Sequence, residues 1–164
     1  MARISAVDAG GANIVVFLDM IASSEIGSAL LAASDDGYNV LVGSTPSNVR
    51  TFDSYATHPN VFVPACNSTA AGRYQLLHRY FDAYAQQLGL SDFSPVSQDR
   101  IAIQQIRECH ALPLVEAGQI PQAIAQCARI WASLPGAGYG QHENKLADLS
   151  EAYVQAGGTL AVAV

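Results

Sequence analysis

An α+β domain, mostly helical with one small antiparallel β-hairpin lobe after the first helix, is the fold this sequence predicts. Three observations carry it. Apolar residues recur at three- and four-residue spacing through most of the chain. One short run rich in Val and Leu follows an Asp-Asp-Gly turn, and glycine or proline punctuates each helical pattern. With 164 residues, half of them apolar and 13% charged, the chain fits a single globular domain over 1–164, large enough to support a cleft.

The first pattern opens at Asn13, a good N-cap residue, and continues through Ile14, Phe17, Leu18, Ile21 and Glu25. Glu25 therefore shares the apolar face, whereas Asp19 lies off it. Gly27 begins a less patterned stretch, and Asp35-Asp36-Gly37 is a turn signal that introduces Tyr38 to Gly43 as a strand. A turn over Gly43 to Asn48 lets the polar segment from Val49 to Ser54 return beside it, which gives a hairpin lobe at roughly 36–55. His58 to Asn67, with Pro59 and Pro64, is irregular.

Helical periodicity then resumes. Gly72 to Leu88 places Leu76, Leu77, Tyr80, Phe81, Tyr84 and Leu88 on one face and closes at Gly89. Ser94-Pro95 caps and starts a helix bearing Ile101, Ile103 and Ile106. A short helix spans Leu112 to Ala117, Pro121 opens another that runs through Trp131, and Leu146 to Gln155 forms the last.

Composition narrows the chemistry. A net charge of −6 with only eight scattered Lys and Arg argues against nucleic acid as a partner. The three cysteines, Cys66, Cys109 and Cys127, have no metal-ligand spacing and read as free thiols, and the four histidines form no HxxxH pattern, so neither a metal nor a cofactor is expected. No uninterrupted apolar run reaches the roughly 18 residues of a membrane span, and no secretory leader is visible, so a cytoplasmic location without stable membrane association is expected.

Glu25 is the sharpest catalytic candidate. A carboxyl on an apolar helix face is desolvated, and desolvation raises its pKa and keeps it protonated, as a general acid requires. Spacing alone leaves open a glutamate that simply faces water at a helix end. Glycosidases usually pair two carboxylates. Asp35 and Asp36 belong to a turn, and Asp53 sits on a polar strand, so none is a convincing partner for Glu25.

Several long collinear segments add a further reading. They are Phe17 to Met20, Ser23-Ser24-Glu25, Gly37 to Gly43, Ser68 to Gln75, Leu88 to Pro95, Gln104-Gln105-Ile106 and Ile130 to Gln141. On these the chain resembles the lytic transglycosylase family of phage endolysins over almost its whole length. The resemblance implies a lysozyme-like fold and a catalytic Glu25. It further implies cleavage of the β-1,4 bond between N-acetylmuramic acid and N-acetylglucosamine without water, leaving a 1,6-anhydromuramoyl end. One carboxylate then suffices, because the substrate's own C6 hydroxyl is the nucleophile.

Substrate contacts implied by the resemblance are Tyr38 and Asn39 on the strand facing the cleft, Arg73, Tyr74 and Gln75 beside it, and Tyr139 and Gln141 on a closing lip. A second lip matches His58 to Asn67. Arg73, Tyr74 and Gln75 are equally consistent with a buried network that braces the hairpin, and Tyr139 with packing. A relative in that family carries Asp where this chain has Asn39, which removes one candidate nucleophile. The implied partner is the glycan strand of peptidoglycan, reached from the host cytoplasm once a holin opens the inner membrane, with a monomer as the default state. A hydrolytic lysozyme of the same specificity and a catalytically silent peptidoglycan-binding protein are the competing readings.

Overall fold

The computed structural model of the chain describes residues 1–140 and 142–161. Its helices in order are α1 (Ala6–Ala9), α2 (Ala12–Ala32), α3 (His78–Leu88), α4 (Pro95–Glu108), α5 (Leu112–Glu116), α6 (Ile120–Cys127) and α7 (Leu146–Gln155), with a 3-10 turn at Pro64–Cys66. The predicted start of α4 and the predicted boundaries of α5 and α7 hold to within a residue.

Helix α2 is the axis of the molecule. Phe17, Leu18, Ile21 and Ala22 are fully enclosed, and α1, α4, α5 and α7 all pack against it. By length and composition it could cross a membrane, but here its apolar sides are covered by its neighbours in a shared core. Its cap is Gly11 rather than Asn13, whose side-chain amide instead donates to the carbonyls of Val115 and Glu116 at the end of α5. The helix also continues past Gly27, where the backbone breaks at φ 77°, ψ 155° before a short second arm. That conformation is open essentially to glycine only. The break leaves Glu25 in the last turn of the long arm.

The expected antiparallel hairpin is absent: no β-strand forms among the described residues. In its place are isolated antiparallel bridges, among them Val40 with Thr51, Leu41 with Ala71 and Ala71 with Leu76. The pairing of the two expected strands is limited to bonds such as Leu41 N–H to the Arg50 carbonyl (2.9 Å) and Phe52 N–H to the Asn39 carbonyl (3.0 Å). Two constraints stop it. Gly37 and Gly43, at φ 88° and 78°, turn the chain at either end of the run. The Ser44 hydroxyl, meanwhile, occupies both the carbonyl and the amide of Arg50 at 3.0 and 3.1 Å. The Val-rich run was legible as extended and buried, but its backbone partners come from two different segments, residues 50–52 and 70–72.

The helix expected from Gly72 begins only at His78. Residues 71–76 instead form a tight turn in which Ala71 and Leu76 exchange amide-to-carbonyl bonds of 3.0 Å, with Gly72 at φ 80° and Gln75 at φ 51°. The Gln98 side chain holds this turn: its Oε1 accepts from Arg73 N–H at 2.9 Å, and its amide donates to the carbonyls of Tyr38 and Phe93. A β-carbon at position 72 would lie 2.2 Å from Gln98 Oε1, so only glycine fits.

A buried polar knot joins this turn to the helical body. Arg73, 1% exposed, donates from Nη2 to Asp19 of α2 at 2.7 Å and pairs through Nη1 with Asp36 at 2.9 Å, while its guanidinium lies over the Tyr38 ring. Asp99 of α4, wholly buried, accepts from the hydroxyls of Tyr38 and Tyr74 and from the amides of Arg3 and Ile4, at 2.6–2.8 Å. Burial pushes the Asp99 carboxyl up, and these four donors act against that by satisfying its oxygens.

Gly27→Ala should destabilise the protein by roughly 1–3 kcal/mol, although open space surrounds the site, because the strain lies in the backbone; thermal unfolding measures it. Arg73→Met should cost more, about 3–5 kcal/mol by urea unfolding, because Asp19 would lose its guanidinium partner inside the fold.

Candidate active site

Glu25 opens into a cavity of about 600 Å³ between the helical body and the turn segments. One wall is the 66–77 segment, through Asn67, Ser68, Tyr74, Gln75 and Leu76, and the facing wall is Ile130, Trp131 and Ala132. Each side is positioned by contacts already in place. Trp131, 2% exposed, donates its indole N–H to the Tyr74 carbonyl at 3.2 Å, which fastens the two walls to each other. His58 anchors the predicted lip over 58–67: its Nε2 bonds the Leu76 carbonyl at 2.9 Å, and Nδ1 accepts from Asn60 N–H at 3.1 Å. Burial holds the imidazole pKa down, and those two bonds define a neutral ring with its proton on Nε2.

Glu25 is half-buried, and burial is the largest influence on its carboxyl, raising its pKa above the ordinary carboxylate value. Ser133 acts in the opposite direction by bonding to the anion. Its hydroxyl donates to Oε1 at 2.5 Å. Ser133 has only one hydroxyl proton, so with that proton committed the contact between Ser24 and Ser133 at 2.7 Å must run from Ser24. The Asn144 amide completes the series by donating to Ser24 Oγ at 3.0 Å and to the Ser133 carbonyl at 3.2 Å. A directed chain therefore runs Asn144, Ser24, Ser133, Glu25. The Ser133 backbone also favours the Glu25 carboxylate.

Ser133 and Asn144 are functional residues that sequence reasoning missed. They lie more than a hundred positions beyond Glu25, and only the Leu-Pro-Gly-Ala-Gly run next to Ser133 hinted that this loop is specially shaped. That loop is braced by Glu143, which accepts from Gly136 and Gly138 amides at 2.8 Å each.

No second carboxylate lines the cavity among the described residues. Asp35 accepts from Tyr55 and Arg3 at 2.6 and 2.5 Å, and the Tyr55 hydroxyl is the largest influence holding its carboxyl low. Burial would raise Asp36, but its donors, Arg73 among them, outweigh that and keep it low. Both are engaged as structural anions.

The remaining candidates separate into two groups. Tyr74 and Gln75 line the cavity, Gln75 with its amide turned back to the Gly72 carbonyl at 2.9 Å. Tyr38 and Arg73 have almost no exposed surface and belong to the polar knot behind the cleft. Asn39 accepts from Asp35 N–H at 3.0 Å and does not line the cavity. Tyr139 lines an adjoining hollow, its hydroxyl on the Arg129 carbonyl at 2.7 Å. Gln141 lies outside the described residues.

Comparison with known proteins places this arrangement. The endolysin family model matches residues 15–160. The endolysin of Escherichia phage lambda is 51% identical over 148 residues, covering 88% of this chain and 90% of that protein. The endolysin of Escherichia phage P2 is 46% identical over 154 residues, covering 89% and 93%. The structure of bacteriophage lambda lysozyme complexed with a chitohexasaccharide superposes with a TM-score of 0.83 at 46% identity, over 98% of this chain and 99% of that one, so the lysozyme-like fold expected from sequence is present.

Ser133→Ala removes a donor to the Glu25 carboxylate and should raise that pKa further. The alkaline limb of the kcat/KM profile, where the protonated acid is lost, should move to higher pH; a profile measured on peptidoglycan checks it.

Proposed function

The chain belongs to the endolysin family, and from that premise we propose that this peptidoglycan-degrading enzyme is a lytic transglycosylase acting at the β-1,4 bond between N-acetylmuramic acid and N-acetylglucosamine. The observation that carries the reading is Glu25 as the only carboxylate lining the cavity among the described residues, desolvated and backed by Ser133. That lambda lysozyme was solved with a chitohexasaccharide supports a glycan as the occupant.

In this reading Glu25 donates its proton to the glycosidic oxygen as the bond from that oxygen to muramoyl C1 breaks. The resulting carboxylate then takes the proton of the muramoyl C6 hydroxyl while O6 bonds to C1. No water is consumed, and Glu25 ends protonated, ready for the next cycle. The nucleophile is tethered to the reacting ring, and well-oriented intramolecular attack reaches effective molarities of about 10⁵ M or more. A second carboxylate is not needed.

The same reading has the protein accumulate in the host cytoplasm as a monomer without stable membrane association and reach the wall after a holin opens the inner membrane. The enclosure of α2 in the core fits a protein that does not place that helix in a membrane.

Glu25→Gln should lose roughly 10²–10⁴-fold in turnover while still binding glycan strands. Mass analysis of wild-type digests of purified peptidoglycan should show muramoyl ends lighter by one water than hydrolysed reducing ends. Reducing ends alone would replace this mechanism by hydrolysis, and unchanged lysis by Glu25→Gln would remove the catalytic role of Glu25.

A further inference from the structure

Beyond the Glu25 cavity the groove continues into a second hollow of about 320 Å³, with Leu77, Tyr80, Gln105, Ile130 and Ala132 common to both. Its outer part is lined by Arg79, Arg129, Tyr84 and Tyr139. The character changes there. The first cavity is lined by neutral residues apart from Glu25, whereas two arginines are among the residues that line the second.

What distinguishes those two cations, in a chain of net charge −6, is that both line the same hollow. Arg73 and Arg3 are each paired with carboxylates elsewhere. Neither Arg79 nor Arg129 has a carboxylate within ion-pair distance among the described residues. Arg79 is exposed, with its guanidinium 4.9 Å from the Tyr80 ring centre. Arg129 is fixed along its inner edge, Nε on Cys109 Sγ at 3.4 Å and Nη2 on the Glu108 carbonyl, and its backbone carbonyl takes the Tyr139 hydroxyl. The nearby carboxylate, Glu108, is engaged by the Tyr84 hydroxyl and the Gln104 amide at 2.8 Å each. Three tyrosines surround the pair, so the hollow offers cationic forks on an aromatic, amphipathic floor.

We propose that this hollow is a binding site for the anionic stem peptide carried on the muramoyl lactyl group, with Arg79 and Arg129 pairing its carboxylates. The inference rests on the glycan-cleaving reading and extends it. Where the stem peptide is attached, the lactyl carboxyl is tied up as an amide and the sugars themselves are uncharged, so paired cations have no role toward the sugars of such a strand. The peptide is the part of peptidoglycan that carries carboxylates. An extension of the same groove is where a branch leaving a bound muramoyl residue would lie. The site therefore makes the enzyme selective for peptide-bearing strands and offsets an overall negative charge that does not steer an anionic wall toward the protein.

The test compares soluble glycan strands that carry their stem peptides with the same strands stripped by an amidase, which leaves a single lactyl carboxylate on each muramoyl residue in place of the peptide's several, scoring kcat/KM by release of new muramoyl ends. Wild type should favour peptide-bearing strands by about fivefold to tenfold at low ionic strength, and the preference should shrink as salt is added. In the double variant Arg79→Ala/Arg129→Ala the ratio should fall to about one, while Arg79→Lys/Arg129→Lys should keep part of it. Thermal unfolding of each variant confirms that the comparison is made on folded protein. Equal turnover of both strands by wild type, or a ratio unchanged in the double alanine variant, overturns this inference and leaves the glycan reading intact. A wild type inert on both strands overturns the glycan reading and this inference with it.

Discussion

The buried knot around Arg73 and Asp99 is the constraint on which the cleft depends. Regular sheet hydrogen bonding would have fixed the segments after α2 by repetition, but here they contribute only single bridges. What locates them is charge and hydrogen bonding at depth. Arg73 ties the 71–76 turn to α2 through Asp19 and to the preceding loop through Asp36, and Asp99 ties α4 to Tyr38, Tyr74 and the first residues of the chain. A buried ion pair gains little over a well-packed apolar substitute, yet removing one partner strands the other in a low dielectric. The knot therefore specifies a geometry more than it adds stability. It places the Tyr74 carbonyl where Trp131 can reach it, and so sets the width of the cavity.

Much of this was legible in the sequence, for reasons tied to particular residues. Helix phase alone put Glu25 with Phe17, Leu18 and Ile21, and the structure keeps it at the end of that arm. The Ser94-Pro95 signal carried full information about its helix, because the Ser94 side chain does cap it. The hairpin failed for an equally physical reason. Alternation and β-branching report that Val40 and Leu41 are extended and buried, but not which segment satisfies their amides, and here two segments share the task. Arg73 had been left open between cleft and brace; its 1% exposure settles it within the knot. Ser24, Ser133 and Asn144 form one chain only because α2 and the loop before α7 meet in space, a relation that local spacing cannot express.

The electrostatics of Glu25 follow from the same architecture. A group that serves first as acid and then as base needs a pKa near the working pH, since a shift in either direction improves one step and weakens the other. Burial raises the carboxyl; alone it would make a strong proton holder and a poor second-step base. Ser133 tempers this by stabilising the anion, and the donors behind it, Ser24 and Asn144, keep its hydroxyl proton directed at Oε1. Opposed influences of this kind let a single carboxylate perform both halves of the proposed cycle. Hydrolysis by a carboxylate pair would require a second acid across the cavity, and the aspartates available for that role, Asp35 and Asp36, are held as anions in other bonds. The commitment of those aspartates to holding the fold together leaves Glu25 as the one carboxylate lining the cavity among the described residues, which suits the proposed mechanism, whose nucleophile comes from the substrate.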